Sequence, residues 1–292
     1  RTFHKQICAL CKKQIISIYA PESNLVVYCP SCWWSDKWDA LDYGVEFDSQ
    51  KPFMMQVKEL FSRGPQMNLH IMYTTVVNSE YVTMAGWLKN CYLTTYSDKN
   101  EDCAYGSLLL NSKDTYDVLI GNQLEGCYEC TNCQACYRTF FSVDCNNCND
   151  VYFSKNCVGC NDCFGCVNLR NKSYHIFNKP HSKEEYEEFL KKNYPSARAK
   201  IKETREKARE LWMRHPHRYY HGRRSVNFSG DYIAHSKNTH QTYVAYKLED
   251  CRFCAFMTNA RDCYDCTNFA EASEMMYEAC QCGDQNSRIL FS

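Results

Sequence analysis

The 292-residue chain carries no net charge, because 34 Lys and Arg balance 34 Asp and Glu. No whole-molecule field therefore favours nucleic acid or an anionic membrane, and any such preference has to be local. There is no run of about 18 apolar residues, the length that marks a bilayer-crossing helix, so no membrane span is expected. No secretory signal pattern is visible. The chain opens on Arg1 rather than Met, so an upstream segment is expected. No Cys-x-x-Cys is followed by His, which excludes c-type haem attachment. No carboxylate pair or nucleophile constellation stands out, since Asp and Glu recur as repeat residues. That argues against a polysaccharide-cleaving β-helix enzyme and leans towards a non-catalytic protein.

What the chain does have is cysteine, 22 residues in all. Four of them form two pairs, Cys8-Ala-Leu-Cys11 and Cys29-Pro-Ser-Cys32. Two such pairs flanking a hairpin-length insert form the zinc-ribbon arrangement, in which each tight knuckle presents two thiolates to one ion. Four thiolates leave no open position, so a bound Zn2+ would be structural, and its binding would supply folding energy. Two disulfides or a redox pair are the alternative. A β-hairpin is expected between the knuckles, with strands at Ile15–Ile18 and Val26–Tyr28 and a turn at Pro21–Asn24. Trp33, Trp34 and Trp38 are expected to pack the ribbon onto its neighbour. A short helix is expected from Pro52 to Ser62, with Phe53, Val57, Leu60 and Phe61 on one face.

From about residue 78 short β-like pieces alternate with Asn, Asp, Gly and Ser, and cysteines recur at fixed offsets. Twelve separates Cys91 from Cys103, Cys133 from Cys145 from Cys157, and Cys251 from Cys263. Nine separates Cys127 from Cys136 from Cys145, and Cys148 from Cys157 from Cys166. Their sum, twenty-one, suggests stacked coils of about twenty residues, a parallel β-helix-like solenoid. Cys127, Cys136, Cys145, Cys148, Cys157 and Cys166 would then form ladders of small buried thiols. Disulfide staples and metal ligation compete with that reading. An iron–sulfur cluster is the less favoured form of the latter, because the runs Cys127–Cys136 and Cys157–Cys166 depart from ferredoxin spacing. A larger duplication is also visible: Asp114-Thr115-Tyr116-Asp117 matches Asp262-Cys263-Tyr264-Asp265, and Glu125, Tyr128 and Glu129 match Glu274, Tyr277 and Glu278. Cys133 matches Cys282. The first copy continues past the point where the second stops, so the chain is expected to be a fragment of a longer protein.

Between the copies, Ser182 and Glu185 form a capping box for a helix to about Lys192. A second helix is expected from about Ser196 to Met213, with Ile201, Ala208, Leu211 and Trp212 inward. Residues 191–224 hold twelve Lys or Arg against three Glu. Arg205, Arg209, Arg214, Arg218, Tyr219, Tyr220, Arg223 and Arg224 could track phosphates and stack bases. They could equally meet an acidic partner or the acidic remainder of this chain.

The strings Tyr28-Cys29-Pro30-Ser31-Cys32-Trp33-Trp34-Ser35-Asp36-Lys37-Trp38 and Cys163-Phe164-Gly165-Cys166-Val167-Asn168-Leu169-Arg170-Asn171-Lys172 are distinctive. With Lys183-Glu184-Glu185-Tyr186, they resemble an uncharacterised family of cysteine-rich proteins predicted from candidate-phylum bacterial genomes. The resemblance spans nearly the whole chain and implies a further cysteine-rich segment upstream. Phe3 stands where that family usually has a cysteine.

These readings give a mainly β protein. They divide it into a zinc ribbon (1–40), a helical connector (41–77), a first solenoid copy (78–180), a basic helical insertion (181–224) and a second copy (225–292). The expected function is a non-catalytic scaffold or binding module that meets a protein partner or itself. Nucleic-acid association and a metal or iron–sulfur protein are the alternatives. Reduced thiols fit a cytoplasmic location.

Overall fold

A computed structural model describes residues 2–122, 124–195, 198–268, 270–280 and 283–292. The protein is mainly β and divides into two compact units, residues 1–215 and 216–292. The first unit is dominated by an eleven-stranded sheet running from Val76–Val77 to Lys179–Pro180, with strands ordered as in the sequence. Every pair is parallel except the last, Ser173–Ile176 with Lys179–Pro180. The second unit holds parallel sheets of four, three and two strands.

In the eleven-stranded sheet the parallel register is twelve residues, whereas in the second unit it varies: Val226 pairs with Lys237, Tyr243 with Ala255 and Ala260 with Ser273. Thr83 pairs with Thr95 and Thr95 with Ser107; Tyr92, Ala104 and Tyr116 continue the same offset. Tyr92 N–H donates to Cys103 O at 3.0 Å, and Tyr105 N–H donates back to Tyr92 O at 3.0 Å. Such short segments can pair in parallel only if the chain turns back within each twelve residues.

It does so through left-handed residues at every third position. Asn90, Leu93, Tyr96, Lys99, Asp102 and Tyr105 all have φ between 51° and 57°, and the pattern continues through Asn168 and Phe177. The chain has only 11 glycines, so residues with a Cβ occupy most of these corners. Asn and Asp are the side chains that best tolerate this conformation. They also tie successive segments together: Asn78 Nδ2 donates to Asn90 Oδ1 at 2.8 Å, and Asn90 Nδ2 to Asp102 Oδ1 at 2.9 Å. Gly230 is a position where only glycine fits, since φ is 128° and a Cβ would lie 1.8 Å from Thr242 O.

A corner at every third residue replaces the two-residue alternation of an ordinary strand with a three-residue one. From Ser79 to Cys166 every third residue is buried; from Ile233 to Cys266 the rule holds again. The inward residues are mostly small, Cys, Ser, Thr, Gly, Val and Ala, with Leu88, Leu109, Asn100, Ile233 and Met257 among the larger ones. The expected period near twenty is therefore replaced by twelve. Nine and twenty-one recur among the cysteines because every inward position lies a multiple of three from every other. Cys282, matched to Cys133 on sequence, lies outside the described residues.

Two helices cover part of the first unit. The capping box of Ser182 and Glu185 starts a helix at Lys183–Asn193, and Arg198–Met213 forms the next; Ser196 lies outside the described residues. Tyr186 and Ala208 are buried against Phe141, Tyr152, Phe153 and Phe164, with Ile201 and Trp212 packed beside them. Segment stacking lines these rings up: Phe140 and Tyr152 stack at 5.4 Å, and Phe141 and Phe153 at 4.7 Å. The connector helix spans Phe53–Arg63, one residue after Pro52, and its Phe53, Val57, Leu60 and Phe61 are exposed.

Candidate metal centre

Strands β1 (His4–Ile7) and β2 (Gln14–Ser17) form an antiparallel hairpin whose turn is the first knuckle. Cys8 N–H donates to Lys13 O at 2.8 Å and Lys12 N–H to Cys8 O at 2.9 Å, with Lys12 left-handed. The second knuckle opens the short helix α1 (Pro30–Trp33). Pro30 suits its first turn, where an N–H is not needed, and Cys32 and Trp33 donate to Cys29 O at 3.0 and 2.8 Å.

The expected hairpin between Ile15 and Tyr28 does not form. Strand β3 (Val27–Tyr28) pairs in parallel with β4 (Gln66–Met67), and residues 21–23 make a single 3-10 turn. Asn68 explains the preference. Its side chain donates to Ile16 O at 2.6 Å, and its backbone N–H donates to Tyr28 O at 2.9 Å, so it sits between the two segments and spaces them apart.

The knuckles nonetheless converge. The sulfurs of Cys8, Cys11, Cys29 and Cys32 all lie within 4.8 Å of one another, and Cys11 Sγ is 3.8 Å from Cys29 Sγ. A tetrahedron with metal–sulfur bonds of about 2.3 Å has edges of about 3.8 Å. The four cysteines could therefore hold a metal ion such as zinc. Among the described residues they are the one group of His, Cys, Asp or Glu gathered in this way.

The electrostatics suit a dication. Burial pushes the Cys8 thiol up, but backbone N–H groups of Cys11, Cys29 and Leu10 together outweigh it and lower it to about 6. Cys29 N–H reaches Cys8 Sγ at 3.3 Å. Cys32 is pushed up to about 12, first by burial and then by its three cysteine neighbours. Four converging thiols cannot all ionise without a cation between them.

Aromatic residues wall the site. Trp38 Nε1 donates to Trp33 O at 2.9 Å, the two rings lie 4.8 Å apart, and Tyr28 meets Trp38 edge-on at 5.7 Å. Trp33 and Trp38 thus pack on the cysteine cluster itself, whereas Trp34 is exposed.

The other cysteines have a different setting. Cys145 and Cys157 stand twelve apart in one column of inward positions, and Cys136 and Cys148 in another. Cys127 stands in line with Thr115 and Thr139, and Cys166 with Ser154. Each thiol donates to the carbonyl two residues back. Most also reach one nine residues on: Cys136 Sγ to Cys145 O at 3.2 Å, Cys148 Sγ to Cys157 O at 3.5 Å. Cys127 and Cys145 do the same at 4.0 and 3.5 Å. Neighbouring Cys148 and Cys157 thiols, with burial, hold Cys145 well above the usual thiol range. Thr115, in line with Cys127, makes the same bonds: its Oγ1 donates to Lys113 O at 2.8 Å and Leu124 O at 3.3 Å. No sequence signal announced this equivalence, because Ser and Thr do not read as core.

The basic residues are divided between the units. Arg205 is spent on the first unit, paired with Glu129 and lying 5.3 Å over the Phe141 ring. Arg209 is exposed on the same helix, and Arg214 is exposed just past its end. Arg218, Tyr219, Tyr220, Arg223 and Arg224 belong to the second unit, where Tyr220 packs edge-on against Phe228 at 5.1 Å. Among the described residues no helix is long and apolar enough to cross a membrane.

No family model matches the chain, and no curated protein shows significant similarity to it.

Proposed function

We propose that the protein is a non-catalytic scaffold: a duplicated β-solenoid of twelve-residue coils carrying an N-terminal zinc ribbon. The observation that supports it is the use to which the cysteines are put. Inside the proposed coils every described thiol except that of Cys280 is buried and donates to main-chain carbonyls, many to two successive coils, as the Thr115 hydroxyl does in its place. A thiol so used is a structural group rather than a nucleophile or ligand. The four ribbon cysteines differ in converging on one point, which suits a closed tetrahedral zinc site. Stacked coils give a rigid, extended surface for a protein partner. The whole arrangement fits the cysteine-rich candidate-phylum family that the sequence resembles.

Elemental analysis tests this reading. One zinc per chain, without iron or acid-labile sulfide, is the expected result. Iron with visible absorption would replace the scaffold with an electron-transfer protein.

A further inference from the structure

Arg205, on the Arg198–Met213 helix, has a defined seat on the first unit. Its guanidinium lies over the Phe141 ring and pairs with Glu129. Phe141 meets Tyr128 edge to face, with centroids 5.3 Å apart at 79°, and Phe141 N–H donates to Tyr128 O at 2.9 Å. Glu129, directly after Tyr128, is left-handed with φ 49°, as is Phe141 with φ 54°.

The second unit builds the same seat. Tyr277 and Phe291 meet edge to face at 5.5 Å and 82°, and Phe291 N–H donates to Tyr277 O at 3.0 Å. Glu278 directly follows Tyr277 with φ 49°, and Phe291 has φ 55°. Both tyrosines interact with the adjacent glutamate, which raises Tyr277 as it helps burial to raise Tyr128. The difference is cover. Phe141 is 7% exposed beneath its helix, whereas Phe291 is 45% and Tyr277 40% exposed.

We propose that the Tyr277–Glu278–Phe291 seat docks an arginine carried on a basic amphipathic helix of a partner protein. Charge complementarity and the occupied seat around Arg205 set the chemistry of that partner. A carboxylate beside an aromatic face accepts a guanidinium both as an ion pair and as a cation–π contact, which a lysine matches less well. Asp265 adds acidic charge near Tyr277. The proposal rests on reading the second unit as a copy of the first.

The test is fluorescence anisotropy of a labelled synthetic peptide of residues 198–213, titrated with the full zinc-loaded chain. Saturable one-to-one binding is expected. It should weaken about tenfold or more with Glu278→Arg in the chain or Arg205→Ala in the peptide, the scale of a charged contact that anchors an interface. Glu274→Arg makes the same charge change at another exposed site of the second unit and should leave binding intact. No saturable binding, or equal losses from Glu274→Arg and Glu278→Arg, would overturn the proposal. Zinc and thiol counts on the same sample do not depend on the peptide, so the scaffold reading stands or falls separately.

Discussion

The thiol of Cys130 lies 3.0 Å from the carbonyl oxygen of Thr139, nine residues further along, and 3.4 Å from Tyr128 O. The same inward column holds Ser142 and Ser154, each donating to the carbonyl two residues back. Val118 stands in that column too, so the column admits an apolar side chain, but at positions 130, 142 and 154 a small donor fills it, and whether that donor is a thiol or a hydroxyl is secondary.

Cys130→Ser should therefore be tolerated, costing less than about 1 kcal/mol in urea denaturation, since a donor of similar shape remains. Cys130→Leu should cost about 1–3 kcal/mol or more, because the added carbons must displace neighbours in a close-packed interior. Equal losses from the two would show that the donor has no role.

Val244 is β-branched and sits at a left-handed corner with φ 54°. A branched Cβ clashes there with its own backbone, and Asn tolerates the conformation far better. Val244→Asn is expected to stabilise the chain by about 0.5–1 kcal/mol, read as a raised denaturant midpoint. Destabilisation would mean that packing of the half-buried valine outweighs the backbone.

These two cases show where the sequence was readable. The knuckles were legible because Cys-x-x-Cys is a local motif whose spacing alone sets its geometry. The Ser182–Glu185 cap was legible for the same reason. The twelve-residue offset was present in Cys91 and Cys103, but it competed with nine and twenty-one. All three are multiples of the hidden period of three, so cysteine spacing alone does not single out twelve, and Ser97, Ser112, Thr115 and Thr139 conceal that period by reading as polar. The pairing of Val27–Tyr28 with Gln66–Met67 was not legible, because nothing between residues 28 and 66 signals a return of the chain. The seat of Arg205 was missed because a charge run does not show which arginine meets a buried ring.

Metal binding should weaken in acid. Cys8, lowered to about 6, is largely a thiolate at neutral pH, while Cys32, raised to about 12, keeps its proton until a cation displaces it. Ligation thus expels at least one proton, so apparent zinc affinity should fall about tenfold or more per unit as pH drops from 8 to 6. Competition with a chromophoric chelator at several pH values measures this. A flat profile would mean that the thiols are not the ligands.

Chelation should act locally. The Trp33–Trp38 pair rests on the cysteine cluster, so its near-ultraviolet signal should collapse with excess chelator. The far-ultraviolet β signal should persist, since the eleven-stranded sheet has its own buried core. Cys32→Ser should reproduce the chelated spectrum.

Thiol labelling followed by mass spectrometry of the native, zinc-loaded chain tests the central claim most directly. Cys280 is exposed and should label within minutes, while the ten cysteines from Cys127 to Cys166 are buried and should stay unlabelled. After denaturation with chelator and no reductant, all 22 cysteines should label. Rapid native labelling of those ten, or their failure to label once the chain is unfolded, would contradict an interior built of reduced, hydrogen-bonded thiols.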